Sequence, residues 1–202
     1  MAVLQSIDPT PPELTLPEAE ARAWTSACAR AGVVLEYGSG GSTLVAAGSG
    51  AEVWSVESDA AWAGRMRDWF ARDPAAAAAR VHVHHADIGP TREWGHPLDE
   101  SAFRRWPDYA LKVWDLPGFS HPDLVLVDGR FRLGCFLTVA YRITRPVTLF
   151  FDDYLPREAY HKAADLVAPV EMIGRMARFE MKPVQLTPDR LRAYMRALLQ
   201  PV

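Results

Sequence analysis

The order of apolar runs along the chain constrains its fold more than any other feature. Five short runs, each long enough for a buried strand, alternate with segments whose apolar residues have helical spacing. These runs cover 33–37, 51–58, 80–87, 122–129 and 146–154. Alternation predicts a mainly parallel sheet with helices on both faces, and near-continuous apolar runs fit strands covered on both sides. We therefore predict an α/β fold with a Rossmann-like, doubly wound sheet.

The segments between and after the runs complete this prediction. Helices are expected over 17–31, 42–47, 59–73, 103–114, 130–143, 157–167 and 187–200. An antiparallel C-terminal hairpin is expected over 170–186, and the short alanine run 75–79 is expected to extend or end a helix. We interpret 1–202 as a single domain, with an extended, proline-containing lead-in over 1–16 and a loop insertion over 88–121.

Composition and charge narrow the class of partner. The chain has 22 basic and 25 acidic residues and a net charge of −3, so it lacks the positive footprint of a nucleic-acid-binding protein. No apolar stretch approaches the ~18 residues of a membrane span, and the N-terminus lacks a signal-peptide pattern. Cys28 and Cys135 are expected to be buried thiols. We expect a cytoplasmic protein, and we leave its oligomeric state open.

The turn after the first run holds three of the chain's 13 glycines within four residues, Gly38, Gly40 and Gly41. A phosphate-binding P-loop would need a lysine that this segment lacks. The dinucleotide fingerprint would need a glycine where Thr43 stands. The remaining pattern is an acid, Glu36, two residues before a Gly-x-Gly turn.

This pattern resembles that of the class I S-adenosylmethionine-dependent methyltransferases, and the resemblance extends from the first helix to the fifth run. It implies that Glu36 lies near the methionine amino group of the cofactor while the turn passes beneath it. The implied contacts are Glu36, Tyr37, Gly38, Ser39, Gly40 and Thr43. Ser42 stands where the family usually has a third glycine. A tight turn without a ligand is the alternative interpretation.

Two further acids end the next two runs. Glu57, followed by Ser58, lies 19 positions after Gly38, where an acid can accept hydrogen bonds from ribose hydroxyls. The resemblance implies that Asp87 faces the adenine amino group and that Ile88 packs on the ring. Either acid alone could instead cap a helix or end a solvated strand.

Three carboxylates follow the fourth and fifth runs: Asp128, Asp152 and Asp153. Their convergence at one edge of the sheet would require a compensating cation or protonation, and oxygen ligands suit Mg²⁺ or Ca²⁺. The arrangement resembles that of small metal-dependent O-methyltransferases of the catechol and macrolide-sugar kinds. It predicts a metal site formed by all three, with Asp128 and Asp152 catalytic. Capping of the following helices is the alternative.

The loop insertion carries a candidate general base, His96, whose alternative interpretation is an ordinary exposed loop histidine. Its aromatic residues either wall a substrate pocket or form a small satellite core: Trp94, Trp106, Tyr109 and Trp114. Nearby arginines suit a carboxylate or phosphate substrate or else form a solvated face: Arg92, Arg104, Arg105, Arg130 and Arg132.

Together these patterns predict S-adenosylmethionine-dependent methyl transfer to a small molecule, at oxygen. Two alternatives stay open: a nucleoside-binding protein of this fold without methyltransferase activity, and an NAD(P)-dependent oxidoreductase. The oxidoreductase is disfavoured by Thr43 and by the lack of a Tyr-x-x-x-Lys pair, because Lys162 follows Tyr160 by only two positions.

Overall fold

The computed structural model describes residues 10–72 and 80–202. Nine strands lie in this part of the chain: β1 (Val33–Tyr37), β2 (Glu52–Glu57), β3 (Val81–His85), β4 (Thr91–Arg92), β5 (His96–Pro97), β6 (Leu124–Val127), β7 (Val147–Phe151), β8 (Glu171–Ile173) and β9 (Met176–Met181). Seven of them form one sheet in the order β3-β2-β1-β6-β7-β9-β8. The first five in this order are parallel, and β9 and β8 complete the sheet as the predicted antiparallel hairpin.

The burial of each strand follows from its position in the sheet. Every residue of β2 and β6 is buried, as expected for strands with helices on both faces. By contrast, β3 is largely half-buried, because it lies at the edge of the sheet. The chain leaves β1 for one side of the sheet and returns to β6 on the other side. This reversal opens a crevice at the carboxyl ends of β1 and β6, the place where open α/β sheets bind ligands.

Six α-helices lie in the described ranges: α1 (Glu18–Cys28), α2 (Gly41–Gly48), α3 (Ala60–Arg72), α4 (Pro107–Leu111), α5 (Arg132–Arg142) and α6 (Pro188–Ala197). The predicted helix over 103–114 is instead divided into α4 and two 3₁₀ turns, with Pro107 starting α4. The predicted helix over 157–167 is a 3₁₀ helix, Glu158–Asp165. Its two buried residues, Tyr160 and Ala163, are three positions apart, which matches the 3₁₀ period.

Two apolar cores lie on opposite faces of the sheet. One packs α1, α2 and α3 against the sheet and contains Cys28; the other packs α4, α5 and α6 and contains Cys135. Both cysteines are buried free thiols, as predicted. None of the helices within 10–72 and 80–202 is both long and apolar enough to cross a membrane.

Three of the four aromatic residues of the loop insertion belong to the main core, and the fourth is exposed. Trp106 and Tyr109 are buried in the core beside α5, and Trp114 packs against it, so these three extend the main core. Trp94 is 79% exposed and has a positive φ of 62°. Two sequence predictions, on lead-in residues 1–9 and on the alanine run 75–79, lie outside the described residues.

Candidate active site

Two loops meet at the crevice between β1 and β6. Gly38 has a φ of +104°, and a Cβ atom there would lie 2.8 Å from the backbone nitrogen of Gly129. A Cβ atom on Gly129 would lie 2.0 Å from the Tyr109 hydroxyl. Real Cβ atoms do not approach other atoms this closely, so both positions require glycine. The glycine turn after β1 is therefore packed directly against the loop that follows β6.

The other two glycines of the turn have different surroundings. A Cβ atom on Gly41 would lie 2.4 Å from the backbone nitrogen of Leu14, so the lead-in segment passes directly over Gly41. A Cβ atom on Gly40 would meet nothing within 4 Å. Of the three glycines, Gly40 is thus the one with free space for another molecule to approach the backbone.

Glu36 is completely buried beneath this turn. Its carboxyl group accepts hydrogen bonds from the hydroxyls of Ser42 and Thr43 and, at 3.3 Å, from Ser55. Burial raises the pKa of Glu36 to about 8, although these hydroxyls oppose the shift. Glu36 therefore holds the shape of the turn through short hydroxyl side chains. This also explains Ser42 in place of a third glycine.

The side chain of Tyr37 points away from the turn. It is buried in the core, where its hydroxyl donates to the Ala110 carbonyl at 2.8 Å and accepts from Trp114 Nε1 at 2.8 Å. A cofactor contact from Tyr37 is thus left to its main chain. Thr43 is also buried, and its hydroxyl accepts a hydrogen bond from the Gly40 amide at 2.9 Å, which fixes the start of α2.

Glu57 ends β2 and lies beside the glycine turn. Its Oε1 accepts hydrogen bonds from the amides of Ser58 at 2.6 Å and Asp59 at 2.8 Å, while its Oε2 accepts from the Ser39 amide at 3.3 Å. Burial raises its pKa, although the amides oppose the shift. The Ser58 hydroxyl donates to the Gly95 carbonyl at 2.9 Å and so ties the β4–β5 ribbon over the end of β2.

Asp87 and Ile88, which follow β3, make their contacts within the protein. Asp87 is exposed; its carboxylate pairs with Arg105 and accepts a hydrogen bond from the Gly89 amide at 3.0 Å. Ile88 is fully buried in the core. The adenine contacts that the resemblance implies for Asp87 and Ile88 stay predictions.

The three carboxylates after β6 and β7 converge, as predicted, but on an arginine. Arg132, the first residue of α5, is almost completely buried. Its guanidinium lies 3.1 Å from Asp128 Oδ1 and 3.2 Å from Asp153 Oδ2, and it donates a hydrogen bond of 2.7 Å to the Asp152 carbonyl. One guanidinium thus contacts all three aspartates.

Two further arginines complete the cluster. Arg175, in the turn of the β8–β9 hairpin, donates from Nε at 2.9 Å and from Nη2 at 2.8 Å to the two carboxylate oxygens of Asp152. Its Nε also lies 3.2 Å from Asp153 Oδ1. Arg157 lies 3.2 Å from Asp153 Oδ2 on the solvent side. Bidentate pairs of this kind are the strong form of a charge-assisted hydrogen bond.

The aspartates of this cluster differ in acidity. Burial would raise the pKa of Asp152, but the hydrogen bonds and charge of Arg175, together with Asp128 and the charge of Arg132, outweigh burial and hold that pKa below its ordinary value. Burial raises the pKa of Asp128 to about 7; Arg132 opposes this shift, and the nearby Asp152 increases it. The Asp152 side chain is 0% exposed and that of Asp128 is 22% exposed. Asp128 is therefore the member of the pair that can exchange a proton near neutral pH.

The prediction of a Mg²⁺ site at Asp128, Asp152 and Asp153 is not supported. Residues 10–72 and 80–202 contain no group of three or more histidine, cysteine or acidic side chains placed to hold a metal ion. The positive charge that the converging carboxylates require is supplied by arginine, whose N–H groups occupy the oxygens that a metal would use. The residues present do not fit the metal.

His96 lies on β5 and faces a fourth arginine of the site. Its Nε2 is 2.6 Å from Nη1 of Arg130, which follows Asp128 in the β6–α5 loop. Burial and the charge of Arg130 lower the pKa of His96, so the neutral ring accepts this hydrogen bond. The nitrogen that would act as a base is thus engaged by Arg130.

Sequence reasoning did not identify the arginine partners of the aspartates. Arg132 and Arg157 each follow an aspartate of the cluster by four positions, at Asp128 and Asp153. This spacing is a usable signal for ion pairing. Arg175 lies 23 positions after Asp152, and its contact depends on how the hairpin packs, which no local pattern indicates.

Comparison with solved structures identifies the family. A methyltransferase-like protein from Silicibacter pomeroyi is 50% identical, with a TM-score of 0.91 over 95% of this chain and 99% of that chain. The chain belongs to the family of this methyltransferase-like protein. This membership confirms the predicted fold class and the predicted relation to methyltransferases. No family model matched the chain, and no curated protein did.

More distant solved structures share the fold of the present chain. Cofactor-bound Rv0187 from MTB has a TM-score of 0.56 at 16% identity, over 87% of this chain and 85% of that chain. The O-methyltransferase TomG from Streptomyces achromogenes, solved in complex with SAM, has a TM-score of 0.57 at 14% identity, over 86% and 83%. At these identities the likeness concerns the fold alone.

Proposed function

We propose that this methyltransferase-like protein transfers the methyl group of S-adenosylmethionine to an oxygen of a small molecule, in the crevice between β1 and β6. The contact between Gly38 and Gly129 carries the proposal. It places the turn assigned to the cofactor against the loop that carries Asp128. A partly exposed carboxyl group with a pKa of about 7 thus lies next to the cofactor turn.

The cofactor side of the crevice fits a nucleoside with an amino acid tail. Gly40 leaves open space above the backbone. Glu57 Oε2 accepts one hydrogen bond, a long one of 3.3 Å from Ser39, within the described chain. It therefore retains lone pairs for ribose hydroxyls. Membership of the family supports the same assignment.

The acceptor side offers one base. When bound, S-adenosylmethionine supplies a methyl group on a sulfonium, which is transferred in a single displacement. We propose that Asp128 removes the proton of the acceptor hydroxyl as the new C–O bond forms and the C–S bond breaks. The Asp152 side chain is fully buried and pairs with Arg132 and Arg175, so we propose for it a positioning role that keeps Arg132 beside Asp128.

The activity can be tested with methyl-labelled S-adenosylmethionine, a panel of small phenols, hydroxy acids and sugar phosphates, and excess EDTA. We expect label on a hydroxyl oxygen and release of S-adenosylhomocysteine. Label on nitrogen would contradict the choice of oxygen. Tight binding of S-adenosylhomocysteine without transfer to any acceptor would favour the nucleoside-binding alternative.

Glu57→Gln is expected to weaken S-adenosylhomocysteine binding at least about tenfold. The variant keeps the shape of the side chain but removes a charged acceptor, whose hydrogen bonds contribute about 1.5–3 kcal/mol each. Titration calorimetry measures the change. Glu52→Gln is the matched control, because Glu52 is a buried acid at the opposite end of the same strand. Equal affinity in the Glu57 variant and the control would rule out Glu57 as a ribose ligand.

A further inference from the structure

One buried cation of the candidate active site has no carboxylate partner in the described chain. Arg130 is 7% exposed, and the one hydrogen bond of its guanidinium joins Nη1 to His96 at 2.6 Å. Its Nε is buried without a hydrogen-bond partner in the described ranges. Burying an unpaired charge is costly, and the cost persists unless another group completes the site.

The neighbouring charges do not satisfy Arg130. The three arginines of the cluster each pair with at least one of its aspartates, whereas no carboxylate in the described ranges pairs with Arg130. Arg132 and Arg157 also lie close enough to Arg130 to repel it and lower its pKa, after burial, which has the larger effect. Arg130 is therefore the arginine of this site whose positive charge no described carboxylate balances.

The free edge of Arg130 has the geometry of an oxyanion site. Nε is buried and unpaired, and Nη2 likewise has no hydrogen-bond partner among the described residues. Nε and Nη2 form the edge of a guanidinium that binds two oxygens side by side. Arg175 uses this same edge to hold both oxygens of Asp152. His96 holds Nη1 and so orients the opposite, free edge of Arg130.

We propose that Arg130 binds a carboxylate or phosphate group of the methyl acceptor, which makes the substrate an anionic, hydroxylated small molecule. This inference rests on the proposed function, because it places the anion beside Asp128 in the same loop. A bidentate anion at Nε and Nη2 would pair the unpaired buried cation and satisfy its buried donor. It would also fix the acceptor with its hydroxyl towards Asp128, which aligns the oxygen for displacement.

Inorganic phosphate and acetate are the probes for this site. Thermal unfolding is followed with each anion at constant ionic strength, in saturating S-adenosylhomocysteine. We expect at least one anion to raise the Tm of the wild-type protein, as a ligand of the folded state does, and the stronger one to identify the anionic group of the acceptor. Arg130→Gln should weaken anion binding at least about tenfold. Arg130→Lys should retain part of the binding, because lysine keeps the positive charge but lacks the two parallel N–H donors of a guanidinium.

Two further comparisons keep the test decisive. Arg145→Gln, which removes an exposed arginine paired with Asp123, should respond to the anions like the wild type. Arg130→Gln should bind S-adenosylhomocysteine within about twofold of the wild type and should have a Tm no lower without anion, since it removes an unpaired buried cation.

Several results would overturn the inference. Anion binding that is equal in Arg130→Gln and wild type, or absent from the wild type, would show that Arg130 is not the anion site. A large loss of S-adenosylhomocysteine affinity in Arg130→Gln would assign Arg130 to the cofactor carboxylate, and a large loss of stability would assign it a structural role. Failure of the wild type to bind S-adenosylhomocysteine would instead count against the proposed function.

Discussion

Asp128→Asn is expected to lower the kcat of methyl transfer by about 10²–10⁴-fold, the usual contribution of a general base. The change keeps the size of the side chain and its place beside Arg132, and removes the ability to take a proton. Because the base must be ionised and burial raises the pKa of Asp128 to about 7, the wild-type rate should rise as pH increases through about 7 and level off above it. A pH–rate profile on any acceptor found active measures both effects.

The control for this experiment is Asp115→Asn. Asp115 is an exposed acid that pairs with Arg142, so its loss should leave the rate and its pH dependence unchanged. S-adenosylhomocysteine affinity in the Asp128 variant should stay within about threefold of the wild type. A variant that keeps both the full rate and the rise near pH 7 would exclude Asp128 as the base.

Asp152→Ala is expected to lower the free energy of unfolding by about 3–5 kcal/mol, the cost of breaking a buried ion pair by removal of one partner. Asp152 is completely buried; its loss would leave Arg132 without one of its carboxylates and Arg175 without its bidentate partner. Urea denaturation measures the change. Asp115→Ala, which breaks an exposed pair, should cost at most about 1 kcal/mol.

The same measurement separates arginine from a metal as the partner of these aspartates. If arginine balances the charge of these aspartates, excess EDTA should leave the urea midpoint of the wild-type protein unchanged. A lower midpoint in EDTA that Mg²⁺ restores would show that a metal holds the aspartates. A small effect of Asp152→Ala, near that of Asp115→Ala, would show that the ion pairs contribute little.

The fold and the convergence of the acids could be predicted because both depend on the sheet. Strands with apolar runs must be covered on both faces, and the carboxyl ends of parallel strands share one edge, so Asp128 and Asp152 had to lie close together. The sequence did not indicate which cation would balance them. An arginine from the hairpin, Arg175, reaches this edge only through the antiparallel pairing of β9 with β7.

The partners of the glycine turn could likewise not be predicted from the sequence. Its three glycines predicted that another group approaches the backbone closely. At Gly38 that group is the backbone of Gly129, and at Gly41 it is the backbone of the lead-in segment. These contacts join residues that are far apart in sequence. Gly40 alone among the three keeps the open space that a ligand needs. Glu36 and Tyr37, which the motif implied as direct contacts, have side chains buried within the protein.

The placement of the cofactor at Gly40 and Glu57, in the crevice between β1 and β6, can be tested by titration calorimetry with S-adenosylhomocysteine and, separately, with NAD⁺. It predicts saturable one-to-one binding of S-adenosylhomocysteine that weakens at least about tenfold in Glu57→Gln, and no binding of NAD⁺ under the same conditions. Binding of NAD⁺ in preference to S-adenosylhomocysteine, or S-adenosylhomocysteine affinity that ignores Glu57, would contradict it.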